Sequence, residues 1–149
     1  MYLVTRESGY PVLFLHGIPT SCVLWNGVTE RLSSQFQCIA VDLPGLGKSA
    51  STPHDFRNLT DLAASIEAIR IDRGIEKWHV VGHDAGCAIA VHYVHQFPHR
   101  VGRIALLSPS MFPELKPFFR GAAEAGDRRI SGAYNQPAVL EHCDVGWRG

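Results

Sequence analysis

The chain has 149 residues, 46% of them hydrophobic, and its 14 basic and 14 acidic side chains cancel to no formal net charge. That balance leaves no basic stripe for nucleic acid and no polybasic patch for a membrane surface. A charged content of only 19% with plentiful aliphatic residues excludes a disordered chain, and no run approaches the ~20 apolar residues of a membrane span.

Charge arrives at Arg6 and Glu7, too early for a signal-peptide apolar stretch, which predicts a cytoplasmic protein. Tyr2 to Thr5 is predicted as an antiparallel edge strand. Val12-Leu13-Phe14-Leu15 is a short, unalternating apolar run that ends at His16-Gly17. Ser21 to Ser33 follows as a helix, with Leu24, Trp25, Val28 and Leu32 on its buried face. Cys38-Ile39-Ala40-Val41 is a second apolar run, ending at Asp42. Leu59 to Arg73 repeats Leu62, Ile66 and Ile69 at helical spacing, with Asn58 or Thr60 available as N-cap. His79-Val80-Val81 ends at Gly82, Ala85 to Phe97 is an apolar helix stopped by Pro98, and Arg103 to Leu107 ends at Ser108. Four strand-length apolar runs alternating with helices predict an α/β fold, a mostly parallel sheet with helices on both faces. In such sheets chemistry gathers where strands end.

At the end of the third run stands Gly82-His83-Asp84-Ala85-Gly86, which follows a strand and opens a helix. This is the spacing of a nucleophile elbow with aspartate in the nucleophile's place; the glycines give the sharp turn room. The plainer reading of Asp84 is a helix cap at a positive N-terminus. Cys22, Cys38, Cys87 and Cys143 form no CxxC pair and read as reduced thiols. His92 and His95 lie three apart on one helix and are expected to face solvent rather than a metal. No metal and no cofactor are predicted. Gly45-Leu46-Gly47-Lys48-Ser49 imitates a phosphate loop, but the position that loop requires to be glycine is Asp42.

His16-Gly17-Ile18-Pro19, Asp42 to Ser49 and Gly82 to Gly86, in that order, resemble the α/β-hydrolase family. Within it they look like the aspartate-nucleophile branch of epoxide hydrolases and haloalkane or haloacid dehalogenases, and Pro19-Thr20-Ser21 with Leu24-Trp25 is similar to the dehalogenase side. The resemblance runs from about Tyr10 to Pro113. It implies that Asp84 attacks an sp3 carbon of an epoxide or alkyl halide and forms an alkyl-enzyme ester, without a cofactor. It implies that the amides of Ile18 and Ala85 form the oxyanion hole, with His16, Gly17, Gly82, His83 and Gly86 supporting elbow and loop. Asp42 is expected to fix its own loop or cap the next helix, and Trp25 to be core. Dehalogenases of this branch usually carry asparagine after the His-Gly and tryptophan after the nucleophile; here those positions are Ile18 and Ala85.

The partner implied is a small-molecule substrate, with no nucleic acid and no membrane. Two other readings stand beside this one: an inactive fragment or small binding protein, and an esterase-like hydrolase. Residues 1–113 are assigned to the N-terminal part of a hydrolase core, and 114–149 to a truncated lid lead-in and irregular tail. The family's relay acid and catalytic histidine are expected beyond that point, with His142, Glu141 and Asp144 poor substitutes for want of a strand to deliver them. Glycines at 121, 126, 132, 146 and 149 break up the tail, and a shifted reading frame near Arg120 would explain the change of character. A sheet without later strands leaves Arg103 to Leu107 as an open edge and predicts self-association.

Overall fold

The structure is a computed structural model and describes residues 1, 3–6, 9–49 and 58–109. Among these residues five strands, β1 (Leu3–Arg6), β2 (Tyr10–Leu15), β3 (Phe36–Val41), β4 (Trp78–His83) and β5 (Val101–Leu107), form one sheet in the order β1-β3-β2-β4-β5. β1 runs antiparallel to β3, as expected of the first segment, and the remaining pairings are parallel. The apolar runs mark the most buried parts of the strands: β2 and β3 begin exposed or half-buried and end in four buried residues each. β5 departs from the expected two-sided burial. Only Val101 is buried along it, because among the described residues it forms one edge of the sheet.

Among the described residues three α-helices cover the sheet: α1 (Asn26–Leu32), α2 (Leu59–Asp72) and α3 (Ala85–Gln96). Leu13 and Leu15 of β2 point one way, into a core with Ile39, Val41, Val80, Leu62 and Ile66 of α2, and Ile89 and Tyr93 of α3. Val12 and Phe14 point the other way, into a smaller core with Cys22, Trp25, Cys38 and Ala40. This period-two division of one strand between two cores is what places helices on both faces. Asn58 caps α2, its side chain accepting the Asp61 N–H at 2.8 Å. Thr60, the other candidate, instead pairs with His92.

Two expectations need correction. The segment expected to be one helix from Ser21 is a 3-10 turn over Cys22–Trp25 followed by α1. The tighter turn eclipses residues three apart, so Cys22 and Trp25 are buried together while Leu24 and Val28 lie outward, 42% and 41% exposed. His92 does not face solvent. It is buried at the α2–α3 contact, with Thr60 Oγ1 at 3.2 Å and Gln96 Nε2 at 3.1 Å from its Nε2. The assignments to Tyr2, Cys143, Glu141, His142, Asp144 and the tail from residue 110 lie outside the described residues.

No helix among the described residues is long and apolar enough to cross a membrane. None of their His, Cys, Asp and Glu side chains gather in a group of three or more that could hold a metal.

Candidate active site

The sheet order sets the site. β2 lies between β3 and β4, so the loops leaving the carboxyl ends of β2, β3 and β4 emerge side by side, the crevice that this kind of sheet offers to ligands. Asp84 sits between the end of β4 and the start of α3, with φ 52° and ψ −121°. A non-glycine residue in that conformation is strained, and the surroundings must hold it there. Its N–H donates to Leu107 O at 3.1 Å, and its carbonyl accepts the Cys87 N–H at 3.0 Å. The turn is thereby stitched to β5 on one side and to α3 on the other.

The glycines around it are required by space. A Cβ on Gly82 would lie 2.7 Å from Gly86 O and 2.8 Å from Cys87 Cα. A Cβ on Gly17 would meet the Asp84 side chain itself, 2.5 Å from its Cβ. Gly17 therefore lets the loop after β2 lie directly against the carboxylate. The Ile18 N–H uses that closeness and donates to Asp84 Oδ2 at 3.0 Å. Ile18 is 44% exposed beside it, and Ala85 is buried.

His16, fully buried, works inside the loop. The Leu43 N–H donates to its Nε2 at 2.9 Å, so Nε2 is bare and the proton sits on Nδ1, which donates to Gly17 O at 2.7 Å. Burial holds the imidazole pKa below its ordinary value, against the raising pull of Gly17 O and Asp42. Thr20 adds two donors to the same carbonyl, its hydroxyl at 2.8 Å and its N–H at 3.2 Å. The i to i+3 turn that Thr20 closes was not singled out as a site feature, although Pro19 between the two residues is a turn signal.

Asp42 fixes its loop, as expected. Oδ1 accepts the Cys22 N–H at 2.6 Å and Oδ2 accepts the Lys48 N–H at 2.7 Å. Burial alone would raise this carboxyl, but the two amides hold it below the ordinary range. The Ser49 hydroxyl donates to Asp42 O at 2.6 Å. A Cβ on Gly47, whose φ is +55°, would come within 2.6 Å of Asp42 Oδ1. Gly47 thus lets the loop close directly on the carboxylate. Trp25 is core: its ring packs 5.2 Å from Phe14 and edge-on to His83 at 6.3 Å.

A family model described as the alpha/beta hydrolase fold matches residues 10–140. The chain belongs to this family. The match runs past the change of character near Arg120. Abhydrolase domain-containing protein abhd-5.2 of Caenorhabditis elegans is 36% identical over 143 residues, covering 90% of this chain and 32% of the relative. A soluble epoxide hydrolase of Corynebacterium sp. (strain C12) is 35% identical over 127 residues, 85% of this chain and 41% of that protein. Among solved structures, the haloalkane dehalogenase DatA of Agrobacterium tumefaciens C58 superposes with a TM-score of 0.64 at 32% identity, over 72% of this chain and 36% of that one. The chain thus spans between about a third and two fifths of the length of the curated relatives it matches.

Acid should destabilise the fold. Burial lowers the pKa of His16, His79 and His92 below the ordinary 6.5, with the charges of Arg103 and Lys77 adding to it at His79 and that of His95 at His92. Each therefore binds its proton more readily in the unfolded chain, so stability is present above pH 6.5 and falls as the pH drops toward the folded values. Melting temperatures measured from pH 8 to pH 5 should fall below about pH 6.5; a flat profile would contradict neutral, buried imidazoles.

Proposed function

We propose that Asp84 is the nucleophile of a hydrolase that works through an alkyl-enzyme ester on an epoxide or carbon–halide substrate. The observation that carries this reading is the Ile18 amide on Asp84 Oδ2, at a strained strand-to-helix turn where glycines clear the approach. Oδ1 is assigned as the attacking oxygen, which leaves Oδ2 facing the Ile18 amide. Oδ1 forms a bond to the substrate carbon as the carbon–leaving-group bond breaks with its electron pair. A halide departs as the anion; an epoxide oxygen becomes an alkoxide and takes a proton from water. Water then attacks the ester carbonyl carbon, and the oxygen that turns negative is the one the Ile18 amide faces. The Ala85 N–H is assigned as its second donor. Collapse of that intermediate breaks the bond to Oδ1, and the alcohol leaves with one of the water's protons while the other passes to solvent, restoring the carboxylate.

A carboxylate suits this chemistry better than acyl transfer, since attack on an ordinary ester would give a labile anhydride. The soluble epoxide hydrolase and the haloalkane dehalogenase among the similar proteins support the substrate class. Neither Ile18 nor Ala85 has a side-chain donor for a leaving group, so both branches stay within the reading. Residues 1–113 supply nucleophile and oxyanion amides in this view, residues 114–149 lead toward a lid, and the partners are small molecules, with the β5 edge as a surface for self-association.

No described residue is assigned as base for the second step, so the test reads the first. The chain is incubated with panels of epoxides and haloalkanes and mapped by mass spectrometry. A stable adduct on Asp84, absent from Asp84→Asn, is expected. No adduct from either panel would overturn the reading in favour of a binding protein. Asp84-dependent ester turnover without alkylation would favour the esterase-like alternative.

A further inference from the structure

The peptide unit joining Gly17 to Ile18 is gripped at both ends. Its N–H points at Asp84 Oδ2. Its carbonyl oxygen accepts from His16 Nδ1 at 2.7 Å, from the Thr20 hydroxyl at 2.8 Å and from the Thr20 N–H at 3.2 Å. Behind the imidazole, the Leu43 N–H donates to Nε2 at 2.9 Å. Hydrogen bonds therefore run in one direction, from Leu43 N–H through the ring and the Gly17–Ile18 peptide to the carboxylate. A carbonyl that accepts strongly polarises its own peptide, which makes the N–H at the other end a better donor.

We propose that His16 is a positioning residue: through Gly17 O, its Nδ1–H aims and polarises the Ile18 amide that holds Asp84. At 0% exposure His16 does not meet substrate itself. Its catalytic consequence rests on Asp84 being the nucleophile; the bond it governs does not. Asp42 secures both ends of the arrangement. It is the residue before Leu43, and it takes the Cys22 N–H at the far end of the loop that begins at His16.

The plainer role for His16 is a tie between two loops through Leu43, and two substitutions separate the roles. In His16→Asn the side-chain amide stands where Nδ1–H stood and keeps a donor for Gly17 O, while the acceptor for Leu43 is lost. In His16→Gln the amide oxygen reaches the place of Nε2 and keeps the Leu43 bond, while the donor to Gly17 O is lost. The first readout needs no substrate. The Ile18 amide proton frequency at pH 7.5 is compared with Asp84 intact and with Asp84→Asn, since a charged acceptor deshields a bonded proton. That difference should fall by more than roughly half in His16→Gln and survive in His16→Asn. The second readout is the decay of the Asp84 ester once excess reagent is removed, the step in which the oxygen facing Ile18 turns negative. Its first-order rate should fall about tenfold in His16→Gln but stay within about threefold in His16→Asn.

The reverse order, with His16→Gln sound and His16→Asn impaired, would overturn the proposal and assign His16 to the loop tie. No effect of either would also overturn it. Should neither variant fold, Thr20→Val removes one donor from Gly17 O and leaves both His16 hydrogen bonds in place, at the loss of a 3.5 Å contact between the hydroxyl and Nδ1. It should shrink the Ile18 difference part-way, and an unchanged difference would count against the proposal. If the native chain is not alkylated at all, the nucleophile reading fails, while the amide frequencies still decide the role of His16.

Discussion

Gly86→Ala should cost about 3 kcal/mol of stability, although alanine is the better helix former by about 1 kcal/mol. Gly86 is the second residue of α3 and lies against the end of β2. An added Cβ would collide with Leu15 O and sit 2.7 Å from His16 O and 2.8 Å from Leu15 C. All three are backbone atoms, two of them in a fully buried part of the strand, so no side chain can swing aside to make room. The helix would have to move off the sheet, taking with it Ile89, Ala90 and Tyr93 from the main core. At a urea slope of about 2 kcal/mol/M, the midpoint should drop by about 1.5 M. Gly27→Ala is the control. It stands on α1 with nothing within 4 Å of the added atom, and should gain about 0.5–1 kcal/mol. A Gly86→Ala midpoint at or above the native one would contradict the close approach of α3 to β2.

The same closeness explains what could be read from the sequence and what could not. Strand and helix order followed from the apolar runs, because a strand buried on both faces has no need of polar alternation; Leu13, Phe14 and Leu15 are all buried in β2. The tight strand-to-helix turn at Asp84 was legible because crowding at positions 82 and 86 leaves room only for glycine, and such constraints show in the sequence. Donor identity was less legible. Backbone amides such as Ile18 N and Leu43 N carry no side-chain signature, so their roles came from resemblance or from the structure. The misread face of residues 21–33 has a geometric cause. A 3-10 turn shifts the phase at Trp25, and nothing in Cys22-Val23-Leu24-Trp25 distinguishes a three-residue from a 3.6-residue period over so short a stretch. His92 was misplaced because helical spacing alone does not say which polar residue of an apolar helix faces its neighbour; Thr60, on α2, decides it.

Glu67→Ala should also cost about 3 kcal/mol, for an electrostatic rather than a steric reason. Glu67 Oε1 accepts from Arg70 Nη2 at 2.6 Å, and Oε2 accepts from Arg70 Nε at 2.9 Å and from the Tyr93 hydroxyl at 2.7 Å. Arg70 Nη1 meanwhile donates to Ile75 O and to Glu76 O, capping the chain as it leaves α2 for β4. One ion pair, with side chains only 7% and 13% exposed, thus joins α2, α3 and the approach to β4. Removing the carboxylate leaves a buried guanidinium with only carbonyl partners and a buried phenol without its acceptor. Tyr93→Phe loses a single hydrogen bond and should cost only about 1–1.5 kcal/mol. The hydrogen bonds from Arg70 hold the Glu67 carboxyl below its ordinary value, outweighing burial, with Tyr93 helping. Its contribution is therefore complete above the unfolded carboxyl range near 4.5 and is lost as the pH falls through the lower, folded value. Urea midpoints at pH 7.5 and pH 3.5 should show the native-to-Glu67→Ala gap narrowing in acid. An equal gap at both pH values would mean that the network contributes by packing and not by charge.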